Sequence, residues 1–378
     1  MHITTVRYLT QYIETDLKEK MVFLGGPRQV GKTTLAKSLL ENNSDYMSWD
    51  DLRDRKLIVK NEFYRDQKIL VLDEIHKYRL WRTLVKGTFD KHFPETKILV
   101  TGSARLDHFR KGGDSLVGRY HYYRLHPFTL PELSKTCDAS LIKNLLKFGG
   151  FPEPYTKQNE DHLSRWQREY TSRVVTQDLT DLESVKDVSL LELLVELLFQ
   201  KISSPLSIKS LQEDLSLSPH TIDRWITLLE RVYFCYRIAP YVPKNRIKAI
   251  KKTQKLYLWD WSQVPNSGAQ FENCVAGHLL KFCHFHEDTK GHRMELRYIA
   301  DVEGREIDFV VTRDKTPLFA VECKTGEKSL QPSLKYYQDR YKIPKIYQVH
   351  LGTKDYGYAD RGGRVIPFNK FCLEEKLK

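Results

Sequence analysis

GPRQVGKT, Gly26–Thr33, fits the pattern G-x-x-x-x-G-K-[ST] and is preceded by the apolar run MVFLG and followed by TTLAKSLL. The flanks matter as much as the motif. A strand that ends in a glycine-rich turn and re-enters as a helix presents backbone N–H groups and a helix N-terminus to one point in space, which suits phosphate. Gly26, Pro27, Arg28, Gln29, Val30, Gly31, Lys32, Thr33 and Thr34 therefore form the candidate nucleotide-binding stretch. Lys32 would meet the β- and γ-phosphates of ATP, and Thr33 would ligate Mg²⁺.

Two later apolar runs extend this reading. KILVLDEIH ends in Asp73 and Glu74, one strand-and-helix unit after the loop. There an aspartate can hold Mg²⁺ through water, and the neighbouring glutamate can serve as the base for hydrolysis, the Walker B arrangement. KILVTGSAR ends in Thr101 and Ser103, placed to contact the attacking water or the γ-phosphate. Arg105 and Arg119 follow, and either can supply positive charge to a neighbouring subunit's phosphate. Short apolar runs alternating with helical segments over residues 20–130 predict a parallel sheet wrapped by helices.

At 378 residues the chain is long enough for two to three domains. Its Lys and Arg number 61 against 49 Asp and Glu, a formal charge of +12 that favours a polyanionic partner. Cys137, Cys235, Cys274, Cys283, Cys323 and Cys372 show no CxxC pair, which argues against a disulfide framework or a zinc site. The first twenty residues carry charges throughout, and the most apolar later run, LLELLVELLF, is interrupted by Glu192 and Glu196. A soluble, cytoplasmic protein with no membrane association is expected.

Pattern changes divide the chain. Residues 1–130 read as the P-loop ATPase core and 131–188 as a helical lid broken at GGFPEP, Gly149–Pro154. Residues 189–254 read as a winged helix-turn-helix with a basic linker: three helices with short turns, then the strand-like YFCYRIAPYV. In SPHTIDRWITLLERVYF, Ile222, Trp225, Ile226, Leu229 and Val232 fall on one face, leaving His220, Asp223, Arg224, Thr227 and Arg231 outward. His220, Arg224 and Arg231 are the candidate groove contacts, with Lys244, Arg246, Lys248, Lys251 and Lys252 on phosphates. Such helices also serve as packing or protein-contact modules, so both uses stay open.

Residues 255–378 read as a second α/β domain, beginning with the strand KLYLWD. Its strand AVECKTG places Glu322 and Lys324 on one face, since residues two apart in a strand point the same way. They form an ion pair at a sheet edge or half of a metal site. Asp308 in EIDFVV lies fourteen positions earlier, within reach across a hairpin. Two carboxylates and the Cys323 carbonyl can hold a second divalent metal, with Lys324 orienting water. In SLKYYQDRY, Tyr336 and Tyr337 either line a nucleic-acid groove or belong to the core.

The set GPRQVGKTTLA, ILVLDEIH, LVTGSAR, LVGRY, LHPFTLPEL, GGFPEP, FENCVAGHLL and EIDFVV with VECK resembles the prokaryotic AAA+-type ATPases that carry a C-terminal domain of unknown function. The resemblance spans nearly the whole chain. It implies an α/β fold with a P-loop NTPase core, a winged-helix segment and a terminal domain similar to the PD-(D/E)xK nucleases, of restriction-endonuclease-like architecture. In that fold an acid on the first helix completes the metal site, and Glu272 matches that place. The expected function is an ATP-hydrolysing homo-oligomer that processes DNA in the cytoplasm, at the nucleoid, with Glu272, Asp308, Glu322 and Lys324 as the cleavage site. The alternatives are a nucleotide-dependent protein-interaction switch and an ATP-sensing DNA-binding regulator.

Overall fold

A computed structural model describes residues 6–41, 45–62, 68–104, 116–179, 187–243 and 254–378. The N-terminal sheet has five strands: β1 (Met21–Gly25), β2 (Tyr46–Ser48), β3 (Ile69–Asp73), β4 (Lys97–Gly102) and β5 (Tyr120–Arg124), in the order β2-β3-β4-β1-β5. Every pairing is parallel. A parallel sheet is covered on both faces, which is why the inner strands β1, β3 and β4 are largely apolar and buried, while the edge strands β2 and β5 carry tyrosines, His121 and Arg124. Val22 and Leu24 pack on one side with Leu99 and Phe151. Met21 and Phe23 pack on the other with Leu70, Ile98 and Trp81.

Because the strands run the same way, their C-terminal ends share one edge. Leu24 and Asp73 both lie opposite Thr101. The P-loop, the two acids and the Thr101–Ser103 stretch therefore converge before any side chain is considered.

After β5 come the helices Leu130–Leu133, Ser140–Phe148, Pro152–Lys157 and Glu160–Arg173, the last continuing into a π-helical turn, Val174–Asp178. The middle segment has helices Val188–Phe199, Ile208–Leu215 and Pro219–Arg231. The third starts at Ser218, whose hydroxyl accepts from Thr221 N at 3.1 Å, with Pro219 in the first turn. Its inward residues Ile222, Trp225, Ile226, Leu229 and Val232 are all buried and join the core beneath the P-loop sheet. β6 (Cys235–Ile238) and β7 (Lys255–Leu258) then pair antiparallel. The strand that the sequence assigned to the head of the terminal α/β segment thus completes a hairpin with the middle segment.

The 24-residue helix Ser267–Lys290 runs from an Asn266 cap to Gly291, whose φ is 66°. It packs against a second sheet of β8 (Met294–Ala300), β9 (Glu306–Arg313), β10 (Thr316–Lys324), β11 (Ile346–His350), β12 (Tyr356–Tyr358) and β13 (Gly363–Pro367), ordered β12-β13-β11-β10-β9-β8. β8, β9 and β10 form an antiparallel meander, and β10 and β11 are parallel, joined through the helix Pro332–Tyr341. The two halves share side chains: Arg124 at the end of β5 pairs with Glu287 and Asp288 of the long helix at 2.7 and 2.6 Å. Among the described residues, no helix is long and apolar enough to cross a membrane.

Candidate functional site

The loop after β1 is shaped by Gly31, at φ 97°, a conformation that favours glycine. Behind it lies Arg7, which the sequence did not single out. Its guanidinium donates to Val30 O at 2.7 Å, to His126 O at 2.5 Å and to Glu132 at 2.7 Å. Glu132 in turn accepts from Lys281 of the long helix at 2.5 Å.

Lys32 Nζ donates to the carbonyls of Gly26 and Pro27 at 2.9 and 2.7 Å. Burial pulls its pKa below the ordinary lysine value, with Glu74 and Asp73 opposing. Thr33 Oγ1 donates to Asp73 Oδ2 at 3.2 Å. The hydroxyls of Tyr46 and Thr101 donate to the same carboxylate. A hydroxyl and a carboxylate side by side are hard oxygen donors, and Thr33 with Asp73 fits Mg²⁺.

Glu74 sits at φ 53°, a strained backbone for a residue with a side chain. Its carboxylate accepts from both Ser103 N and Ser103 Oγ at 3.0 Å. Burial raises its pKa, while the Lys32 charge opposes the rise. A carboxylate fixed at two points and raised in basicity suits proton abstraction.

Thr101 departs from the sequence reading. It is fully buried, and its hydroxyl is on Asp73, so it positions the acid instead of facing phosphate or water. Ser103 does line the cavity, with its hydroxyl on Glu74. Arg28 is clamped by Asp178 at 2.5 and 3.1 Å, an acid from the π-helical turn. The cavity over the loop has a volume of about 580 Å³ and is closed on its far side by Pro152, Glu153, Thr156 and Lys157. GGFPEP therefore leads into one wall of the site, which periodicity alone does not reveal.

Arg119 lies just before β5, at the opposite end of the sheet, and pairs with Asp90 at 2.8 Å. Five residues of strand separate it from the level of the P-loop, roughly 16 Å. It does not serve the nucleotide site of its own chain. Arg105 and the basic run with Lys244, Arg246, Lys248, Lys251 and Lys252 lie outside the described residues.

In the terminal sheet, the pairing of Val321 with Phe309 carries Glu322 opposite Asp308. Asp308 Oδ2 accepts from Cys323 N at 2.8 Å, and Lys324 Nζ is 2.7 Å from Glu322. Glu272, on the long helix, accepts from Tyr257 OH at 2.7 Å. A residue missed in the sequence stands among them. Lys255, from β7, places its ammonium against Glu306, 3.5 Å from Glu272 and 3.9 Å from Asp308.

Burial, reinforced by Asp308, pushes Glu272 up to about 8 and Glu322 up to about 7. Among the described residues, no group of three or more His, Cys, Asp or Glu is arranged to hold a metal ion. The three acids expected to share a divalent ion do not fit one, because Lys255 faces Glu272 and Asp308 while Lys324 pairs with Glu322. The tyrosines divide as well: Tyr337 is fully buried, while Tyr336 is partly exposed with Arg305 over its ring at 4.0 Å.

Comparison with known proteins gives the first segment a class. Residues 18–134 match the AAA domain, residues 139–265 a domain of unknown function (DUF8612), and residues 267–371 another (DUF4143). The last boundary falls at the start of the long helix, leaving β7 with the middle segment. An uncharacterized protein of Methanocaldococcus jannaschii is 25% identical, over 86% of this chain and 79% of its own. A second from the same organism is 22% identical over 95% and 86%. An uncharacterized protein of Mycobacterium tuberculosis is 22% identical over 82% and 74%. A solved structure of a Signal Transduction ATPase with Numerous Domains protein from Pyrococcus horikoshii aligns with 76% of this chain and 48% of its own, at 12% identity and a TM-score of 0.26, too distant to bear on the fold. The P-loop segment thus matches an AAA domain, which supports a nucleotide-dependent activity.

Proposed function

We propose that this protein hydrolyses ATP and uses the cycle to change its hold on nucleic acid, DNA in the first instance. The reading is carried by one observation: at the C-terminal edge of a single parallel sheet Thr33 is hydrogen-bonded to Asp73, and Ser103 to the adjacent Glu74. The loop amides and Lys32 hold the phosphates, and Thr33 with Asp73 holds Mg²⁺, which offsets the developing phosphate charge when bound. Glu74 takes the proton of the attacking water, with Ser103 fixing the carboxylate's orientation. Glu74→Gln keeps the shape and removes the base. ATP binding should persist while turnover falls at least about a hundredfold, within the range of general-base catalysis; undiminished turnover removes Glu74 from this role.

The nucleic-acid part rests on the helix Pro219–Arg231. His220, Arg224 and Arg231 are exposed there, and Arg237 of β6 pairs with Asp223 and Glu230 at 2.5 and 2.7 Å, offsetting the acids of that face. The helix–helix–helix–hairpin order supports a winged-helix use. Affinity should fall steeply with added salt, as contacts to phosphates demand. Binding that ignores salt, or no binding to duplex, single-stranded or branched DNA with or without ATP, favours a protein-interaction switch instead. The homo-oligomer remains part of the proposal, with Arg119 as the residue that would leave its pair with Asp90 to reach a neighbour's nucleotide.

The terminal segment's order of long helix, three antiparallel strands, helix and parallel strand supports the likeness to PD-(D/E)xK nucleases. Its proposed role is to bind nucleic acid without cutting it, because the acids meet Lys255 where such enzymes need metal.

A further inference from the structure

We propose that Lys255 is a built-in cation of the terminal acidic site, and that it excludes divalent metal from the carboxylates of Glu272 and Asp308. The inference rests on the nuclease-like reading of that segment but not on the ATP or nucleic-acid readings.

Lys255 is only 2% exposed, so its charge is not shared with solvent. Carboxylate oxygens of Glu272, Asp308 and Glu306 surround its ammonium, so the position is filled by a cation of the chain itself. Magnesium requires oxygen ligands at about 2.0–2.1 Å in near-octahedral geometry, with no like charge in the shell. An ammonium 3.5 Å from Glu272 and 3.9 Å from Asp308 already pairs with both carboxylates that such an ion would need.

The position of Lys255 is built, not incidental. Alternation along β7 sends Lys255 and Tyr257 to one face, and both reach the acids, Tyr257 through its hydroxyl on Glu272. Leu256 and Leu258 point the other way into the core under the P-loop sheet. The backbone at Lys255 pairs with Ile238 in the hairpin and bridges to Pro205 on its other side. The Lys255 side chain also lies over the Tyr298 ring, at 5.5 Å from Nζ to the centroid. A strand held on both edges delivers the charge, so the middle segment sets the chemistry of the terminal one.

The test is a Mn²⁺ titration of the full chain without nucleotide, followed by electron paramagnetic resonance of free ion. The parent and Asp308→Asn should bind Mn²⁺ indistinguishably. Lys255→Met, an unbranched side chain of similar volume without the charge, should gain one Mn²⁺ per chain with affinity at least about tenfold above the parent's, and Lys255→Met with Asp308→Asn should lose it. A parent site that Asp308→Asn removes overturns the proposal, as does a folded Lys255→Met that gains nothing. If Lys255→Met does not fold, the parent and Asp308→Asn pair decides alone. ATP turnover, measured separately, reports on the P-loop and leaves the two readings distinguishable.

Discussion

Replacing Arg7 by methionine should remove a support that links the nucleotide loop to the rest of the molecule. Arg7 uses three donors at once, on the Val30 carbonyl, the His126 carbonyl and the Glu132 carboxylate, with its guanidinium over the Phe128 ring at 4.8 Å. Each carbonyl that loses its donor costs about 1 kcal/mol, and the hydrogen bond to a charged partner contributes about 1.5–3 kcal/mol. Glu132 keeps Lys281, so its charge is not wholly uncompensated. The expected loss is about 3–5 kcal/mol, in the range for breaking a buried pair. Arg7→Lys preserves the charge near Glu132, but one ammonium cannot span three acceptors arranged around a planar fork. It should recover about half of the loss. Urea unfolding of parent and variants gives the energies, and the Michaelis constant for ATP should rise with the loss because Val30 belongs to the loop. An Arg7→Met protein within about 1 kcal/mol of the parent, with an unchanged Michaelis constant, would refute the reasoning.

Burial and the neighbouring Asp308 push Glu272 from its ordinary value of 4.5 up to about 8 in the fold, with Lys255 opposing. A raised carboxylate pKa means stability that is full below pH 4.5 and is lost as pH rises towards about 8. Glu272→Gln should flatten this decline by about 1 kcal/mol per pH unit in urea unfolding, and parallel curves for parent and variant count against it. Gly150→Ala should cost more than about 2 kcal/mol, since an added Cβ meets Phe128 O at 2.5 Å and Trp261 at 2.6 Å. Gly87→Ala, with nothing within 4 Å in the helix Trp81–His92, should instead gain about 0.5–1 kcal/mol by thermal unfolding. Asp178→Asn weakens the clamp on Arg28 and should raise the Michaelis constant for ATP about fivefold with turnover largely spared, measured by steady-state kinetics.

Local patterning was enough for the P-loop, because a strand, a glycine-rich turn and a helix are contiguous and their chemistry follows from adjacency. The inward face of Pro219–Arg231 was legible for a similar reason: its 3.6-residue period marks Ile222, Trp225, Ile226, Leu229 and Val232 directly. Opposition of Asp308 and Glu322 needed only a hairpin. Thr101 and Ser103 were found as a pair but could not be told apart. Thr101 is the last strand residue before Gly102 and turns onto Asp73, whereas Ser103 lies past the end of β4, where strand alternation no longer sets its direction.

Arg7, Asp178 and Lys255 had no local signal at all. Each acts across more than fifteen positions of sequence, on Glu132, Arg28 and Glu272 respectively. A charged side chain announces its charge in the sequence, but its partner is fixed only when distant elements close on it. Sequence by itself determined that this chain carries a nucleotide loop, two acids beside it and a basic middle segment, since those are properties of contiguous residues. Tertiary structure alone decided that the terminal acids meet a lysine, because Lys255 reaches them only when β7 is held between β6 and the bridge to Pro205.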